Sequence, residues 1–143
     1  MVASRILADK GEAVFTIAPD ATLVEAARVL IEKKVGAAVV VDARGAPVGV
    51  FSERDLARAV AEAGASGLER SVSEAMTRAL VTARAGDSID HLMGLMTERR
   101  VRHVIIMQAG AMAGLVSIGD VVKRKIAEAE AEAESLKAYI EGA

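Results

Sequence analysis

The chain has no cysteine and no tryptophan. The first absence excludes thiol catalysis, disulfide exchange and cysteine-bound zinc; it fits a reducing compartment, and a cytoplasmic protein is the expectation. Aromatic residues are nearly missing, Phe15, Phe51 and Tyr139 being the whole complement. That argues against a single-stranded nucleic-acid platform, which stacks bases on aromatic faces. A formal net charge of −2 leaves no basic footprint for a nucleic-acid duplex. No apolar run is long enough to cross a bilayer, and the first residues lack the apolar core of a secretory leader, so no membrane partner is expected. The two histidines, His91 and His103, have no partners at metal-ligand spacing, and no metal is expected. Glycine patterns of the Rossmann or P-loop type are absent.

What the chain does have is a hydrophobic fraction of 52%, mostly Ala, Val, Leu and Ile. That is enough for one compact unit without disulfides. It also has an internal repeat. The segment Val35-Gly36-Ala37-Ala38-Val39-Val40-Val41 returns as Val101-Arg102-His103-Val104-Ile105-Ile106-Met107. A Gly-apolar-apolar-Ser-x-x-Asp motif follows each: Gly49-Val50-Phe51-Ser52-Glu53-Arg54-Asp55 and Gly114-Leu115-Val116-Ser117-Ile118-Gly119-Asp120. Thr16 pairs with Thr82 and Leu23 with Ile89 at the same spacing as Val35 with Val101. After the hairpin the spacing shrinks by one residue, a deletion of the kind loop tips tolerate.

Each copy reads as strand, helix, strand, hairpin, strand, helix. In the first, residues 13–17 are expected as a strand. Thr22 with Glu25 forms a capping box at a helix start, and Leu23, Ala26, Ala27, Leu30 and Ile31 recur at helical spacing. The apolar run 37–41 suits a strand buried on both faces. Residues 42–45 form the turn, 47–51 the return strand, and 52–61 the second helix. The expected domain division is 1–69 for the first repeat with a short apolar lead-in, 70–125 for the second, and 126–143 for a helical tail. Residues 63–67 are expected as the linker between copies. The tail is rich in Ala and Glu, and Val122, Ile126, Ala129, Ala133, Leu136 and Ile140 are spaced as a narrow coiled-coil seam.

The doubled motif, its order and its spacing resemble a cystathionine-β-synthase (CBS) domain pair, or Bateman module, over nearly the whole chain. The resemblance implies a mixed α/β fold, β-α-β-β-α twice, with the sheets of the two units packed together, clefts between them and an extra C-terminal helix. It implies a stand-alone, non-catalytic sensing module that binds an adenine nucleotide (AMP, ADP or ATP, with NAD(H) or S-adenosylmethionine as further possibilities) and forms a homodimer. It leaves room for an unidentified protein partner.

The motif has a structural explanation that stands by itself. Ser52 and Ser117 are suitable N-caps, Asp55 and Asp120 lie at N3, and Phe51/Leu56 and Val116/Val121 make hydrophobic staples. A structural homodimeric scaffold, with the motifs only capping helices, is therefore the competing reading. The binding reading adds that a helix N-terminus attracts phosphate and that an ionised Asp accepts from both hydroxyls of a ribose. In the family the resemblance implies ribose contacts for Asp55 and Asp120, and ribose or phosphate contacts for Ser52 and Ser117. It implies phosphate contacts for Arg102 and His103 as well. Gly36 and Ala37 occupy the corresponding places in the first copy, where small side chains leave space for a flat base, so the two clefts should differ. Arg54 is a further phosphate candidate beside the first helix end. Thr16 and Thr82 match positions that touch ligand in the family.

Overall fold

The computed structural model describes residues 2–10 and 14–142. In chain order the elements are α1 (Ala3–Lys10), β1 (Thr16–Ile17), α2 (Leu23–Lys33), β2 (Ala37–Val41), β3 (Pro47–Ser52), α3 (Glu53–Ala63), a 3-10 segment (Gly64–Glu69), α4 (Val72–Ala75), β4 (Thr82–Arg84), α5 (Ile89–Arg99), β5 (His103–Gln108), β6 (Ala111–Ser117) and α6 (Ile118–Gly142). Each half builds a three-stranded sheet. β1 runs parallel to β2 and β2 antiparallel to β3; β4, β5 and β6 repeat the pattern. The strand expected over 13–17 reduces to Thr16–Ile17, and Ala13 lies outside the described residues.

The local signals act as their chemistry dictates. Thr22 Oγ1 accepts from the Glu25 N–H and Glu25 returns a carboxylate to the Thr22 N–H, closing the capping box of α2. The two hairpins share a bulge at the matching place, between Val40 and Val41 and between Ile106 and Met107. They differ at the tip. The first is a wider loop in which Asp42 Oδ1 accepts from the Arg44 and Ala46 N–H groups. The second is a tight turn with both central residues, Ala109 and Gly110, at positive φ, the geometry that matches strand twist in two-residue hairpins. That is where the missing residue went.

Among the described residues three apolar clusters hold the molecule together. One lies under the helices of the first sheet (Leu23, Ala26, Leu30, Val40, Phe51), another under those of the second (Ile89, Leu92, Met96, Val104, Ile106). Val39, Val50 and Ile105 form the third, with Leu115 and Met107 packed against it, and it joins the two sheets face to face. β2 and β5 are thus buried on both sides, as their unbroken apolar runs demand.

The apolar lead-ins cross over. Ala3, Ile6 and Leu7 of α1 pack into the core of the second half, while Val72 and Met76, which precede the second copy, pack into the core of the first. This explains the glycine of the repeated motif. A Cβ on Gly114 would collide with the Leu7 side chain. One on Gly49 would sit 2.5 Å from Met76 Sδ and 3.0 Å from the Thr77 carbonyl oxygen. Each motif glycine makes room for a lead-in from the other half.

The linker expected over 63–67 takes a defined form. The 3-10 segment folds back on α3, and Gly67 is buried so closely that a Cβ there would lie 2.5 Å from the Ala59 carbonyl oxygen. Close backbone approach, not flexibility, is the role of that glycine.

Candidate functional site: two clefts between the repeats

Because the two sheets pack through β2 and β5, the motif helix of one copy faces the helix-to-strand corner of the other. Two clefts result. The first, of about 410 Å³, sets Ser52, Arg54, Asp55 and Arg58 of the first copy against Arg100, Arg102 and His103 of the second. The second cleft, of about 300 Å³, sets Ser117 and Asp120 against Lys34, Val35, Gly36 and Ala37, with Lys10 and Phe15 at its edge. Gly36, His103 and Ser117 line both. Which carboxylate the charge of Arg102 would face was open in the sequence; it faces Asp55.

In the first cleft Asp55 is only 2% exposed. Its Oδ2 accepts from the Ser52 N–H at 2.9 Å and the Ser52 hydroxyl at 3.1 Å. Oδ1 accepts from Arg58 Nη1 at 3.3 Å and the Thr77 hydroxyl at 3.1 Å. The Asp55 N–H returns a bond to Ser52 Oγ, so the capping box is complete. The Glu53 N–H donates to the Gly36 carbonyl. The next amide, on Arg54, is a first-turn donor with no acceptor inside the helix, as helix ends require. Arg54, Arg58, Arg100 and Arg102 crowd around that end.

Asp120 in the second cleft repeats the cap: its Oδ2 accepts from the Ser117 N–H at 2.9 Å, and the Asp120 N–H donates to Ser117 Oγ at 3.1 Å. The surroundings differ. Lys10, at the end of α1, places its ammonium 2.7 Å from Asp120 Oδ2 and 2.8 Å from the Leu115 carbonyl oxygen. The side chain of Asp120 is 23% exposed, and no hydrogen bond reaches its Oδ1 among the described residues. Burial pushes the Asp120 carboxyl up, but the Lys10 ammonium and the Ser117 N–H outweigh it and hold it below its ordinary value.

His103 stands between the clefts, its backbone paired with Ser117. Burial first, then the Lys10 charge, hold its imidazole below the ordinary 6.5, against the opposing pull of Asp120 and Asp55. At neutral pH it is therefore an uncharged donor and acceptor. The charged donors of the first cleft are its arginines.

Ser52, Arg54, Asp55, Arg102, His103 and Gly36 meet in the first cleft; Ser117, Asp120, Gly36, Ala37 and His103 meet in the second. Thr16 and Thr82 are exposed and line neither cleft. Thr77, Arg58 and Lys10 were missed, since nothing local in the sequence marks them. Arg100 belongs to the basic run Arg99-Arg100-Val101-Arg102-His103, a phosphate-clamp candidate in the sequence, and Lys34 to the matching helix end of the first copy. Both are C-caps in the left-handed region, with φ of 55° and 54°. Glycine is usual there, and a side chain costs roughly 1–2 kcal/mol. Each nevertheless places a long cation beside a cleft, strain of the sort that accumulates at functional sites.

The CBS domain family profile matches residues 11–62 and 72–126. A mitochondrial CBS domain-containing protein of Arabidopsis thaliana is 35% identical over 127 residues, covering 86% of this chain; the matched part spans 62% of that relative's length. A CBS-domain containing protein of Agrobacterium tumefaciens has a crystal structure with a TM-score of 0.81 and 46% identity, over 87% of this chain and 92% of its own. A CBS domain protein of Pyrobaculum aerophilum, solved in complex with AMP, has a TM-score of 0.73 and 27% identity, over 84% of this chain and 89% of its own. With the doubled fold, the reciprocal clefts and the profile matched in both halves, this chain belongs to the CBS domain family as a tandem pair.

Proposed function

We propose that the chain is a non-catalytic sensor that binds an adenine nucleotide between its two repeats, with the phosphates in the first cleft. The observation that carries this is the meeting of a buried, acceptor-only carboxylate, Asp55, with Arg54, Arg100 and Arg102 across one groove. Ribose hydroxyls suit the carboxylate. Phosphates suit the helix end and the forked guanidinium donors. The AMP complex of the Pyrobaculum aerophilum relative supports the ligand class. Among the described residues no cluster of His, Cys, Asp or Glu could hold a metal ion, and the Ser52 hydroxyl that meets Asp55 belongs to a helix cap. Binding works here as linkage: ligand stabilises the arrangement of repeats that it fits better. Because Gly36, His103 and Ser117 line both clefts, filling one reshapes the other.

Calorimetric titration with AMP, ADP, ATP, NAD(H) and S-adenosylmethionine tests the reading. Saturable binding is expected for at least one phosphate-bearing member. Arg102→Ala should weaken it by about ten- to a hundredfold, the worth of one charge-assisted hydrogen bond. If no member of the panel binds, the sensor reading is wrong. The alternative is then the scaffold, which one observation favours: both oxygens of Asp55 are already satisfied by protein donors.

A further inference from the structure

We propose that residues 126–140 of α6 form a parallel, in-register two-stranded coiled coil with the same segment of a second copy of this chain. Up to Lys125 the helix is fastened to its own body. Arg124 reaches Asp9 of α1 at 3.1 Å and Lys125 reaches Asp90 of α5 at 3.1 Å. Beyond that point, every residue from Ala129 to Gly142 is exposed. An unsupported helix of that length is marginal in water. This one also stacks like charges one turn apart, Glu128 with Glu132 and Glu130 with Glu134, which weakens it further. Ile126, Ala129, Ala133, Leu136 and Ile140 nonetheless keep one stripe at alternating steps of three and four, and Ile126, Leu136 and Ile140 are 54%, 60% and 70% exposed.

The charges beside the stripe select the partner and its direction. Lys125 and Glu132 flank it on one side, Glu130 and Lys137 on the other. In a parallel pair, each flanking residue on one side meets the residue five positions on in the other helix. That sets Glu132 against Lys137, opposite charges met twice over by two-fold symmetry, and puts Glu130 beside Lys125, whose partner in its own body is Asp90. Laying the two stripes antiparallel, with Ile126 opposite Leu136 and Ala129 opposite Ala133, brings Glu130 to Glu130 and Glu132 to Glu132, like charges at both central places. A second copy in parallel register is therefore the occupant that the stripe and its flanks fit together.

The absence of cysteine makes the test clean. Full-length Ala133→Cys, oxidised gently, is expected to give a covalent dimer, because only a parallel in-register pair brings residue 133 to itself. Lys137→Glu added to that variant should cut the yield about fivefold, and Glu132→Lys added to both should restore it. All these positions are on an exposed helix, and far-UV circular dichroism reports whether the fold is kept. Cross-linking only in a mixture of Ala129→Cys and Ala133→Cys would overturn the proposal in favour of an antiparallel pair. No cross-link in either experiment would overturn it outright, whatever other surface joins the bodies. Neither readout involves nucleotide, so failure here leaves the sensor reading untouched.

Discussion

The two clefts are built from one motif and yet hold their carboxylates in opposite ways. Asp55 is sealed at 2% exposure by four donors from three residues, Ser52, Arg58 and Thr77. Asp120 is open at one oxygen and clamped at the other by Lys10. Of the donors that differ, Arg58 comes from the motif helix itself, while Thr77 and Lys10 arrive from the lead-ins that cross between halves. The motif thus fixes where a carboxylate sits. What approaches it is decided in large part by a segment far away in sequence.

The comparison breaks most visibly at the carboxylates themselves. Asp55→Ala removes a cap and strands buried donors, and should cost about 3 kcal/mol of stability, whereas Asp120→Ala should cost about 1 kcal/mol, the worth of a cap whose surroundings water can enter. Urea midpoints at a common slope measure the difference; equal losses would mean that the clefts are energetically alike. Lys10→Ala sharpens the contrast. Its ion pair is part-exposed, so its removal should lower stability by only about 0.5–1 kcal/mol, while the Asp120 carboxyl rises toward its ordinary value in carbon-detected NMR titration. The smallest effect concerns His103. Its imidazole is held below 6.5 in the fold, so the unfolded chain takes up the proton first as pH falls. Stability should then decline below about pH 6.5, and His103→Gln should flatten that decline. The Asp120 contribution lies in another window, being present above the ordinary 3.8 and lost only as pH falls below it.

Much of this was legible because it is local. The capping boxes at Thr22 and Ser52, the apolar strands β2 and β5, and the deleted hairpin residue are all written within a few positions of where they act. The membership of each cleft was half legible: the repeat identifies Asp55 and Asp120, but not that Arg102 faces Asp55. That pairing depends on sheet packing through Val39 and Ile105, residues indistinguishable in sequence from any other buried strand residue. Lys10 and Thr77 were beyond reach for the same reason. The close packing at Gly67 was not legible either, because a glycine that lets a backbone come close looks, in sequence, like any other glycine of a linker.

The crossed lead-ins also order events in time. Lys10 touches Leu115 across 105 positions of chain, so α1 is synthesised about a hundred residues before the strand it must pack against. Until β6 exists, the apolar face of Ile6 and Leu7 has no home and the second core lacks one wall. The first core, by contrast, is closed by Val72 and Met76, made soon after it. The first half can therefore consolidate during synthesis, while the second waits for the chain's longest closure, the slow, non-local kind of step that limits folding rates. Cutting the molecule between its repeats would leave two pieces, each carrying the other's missing wall.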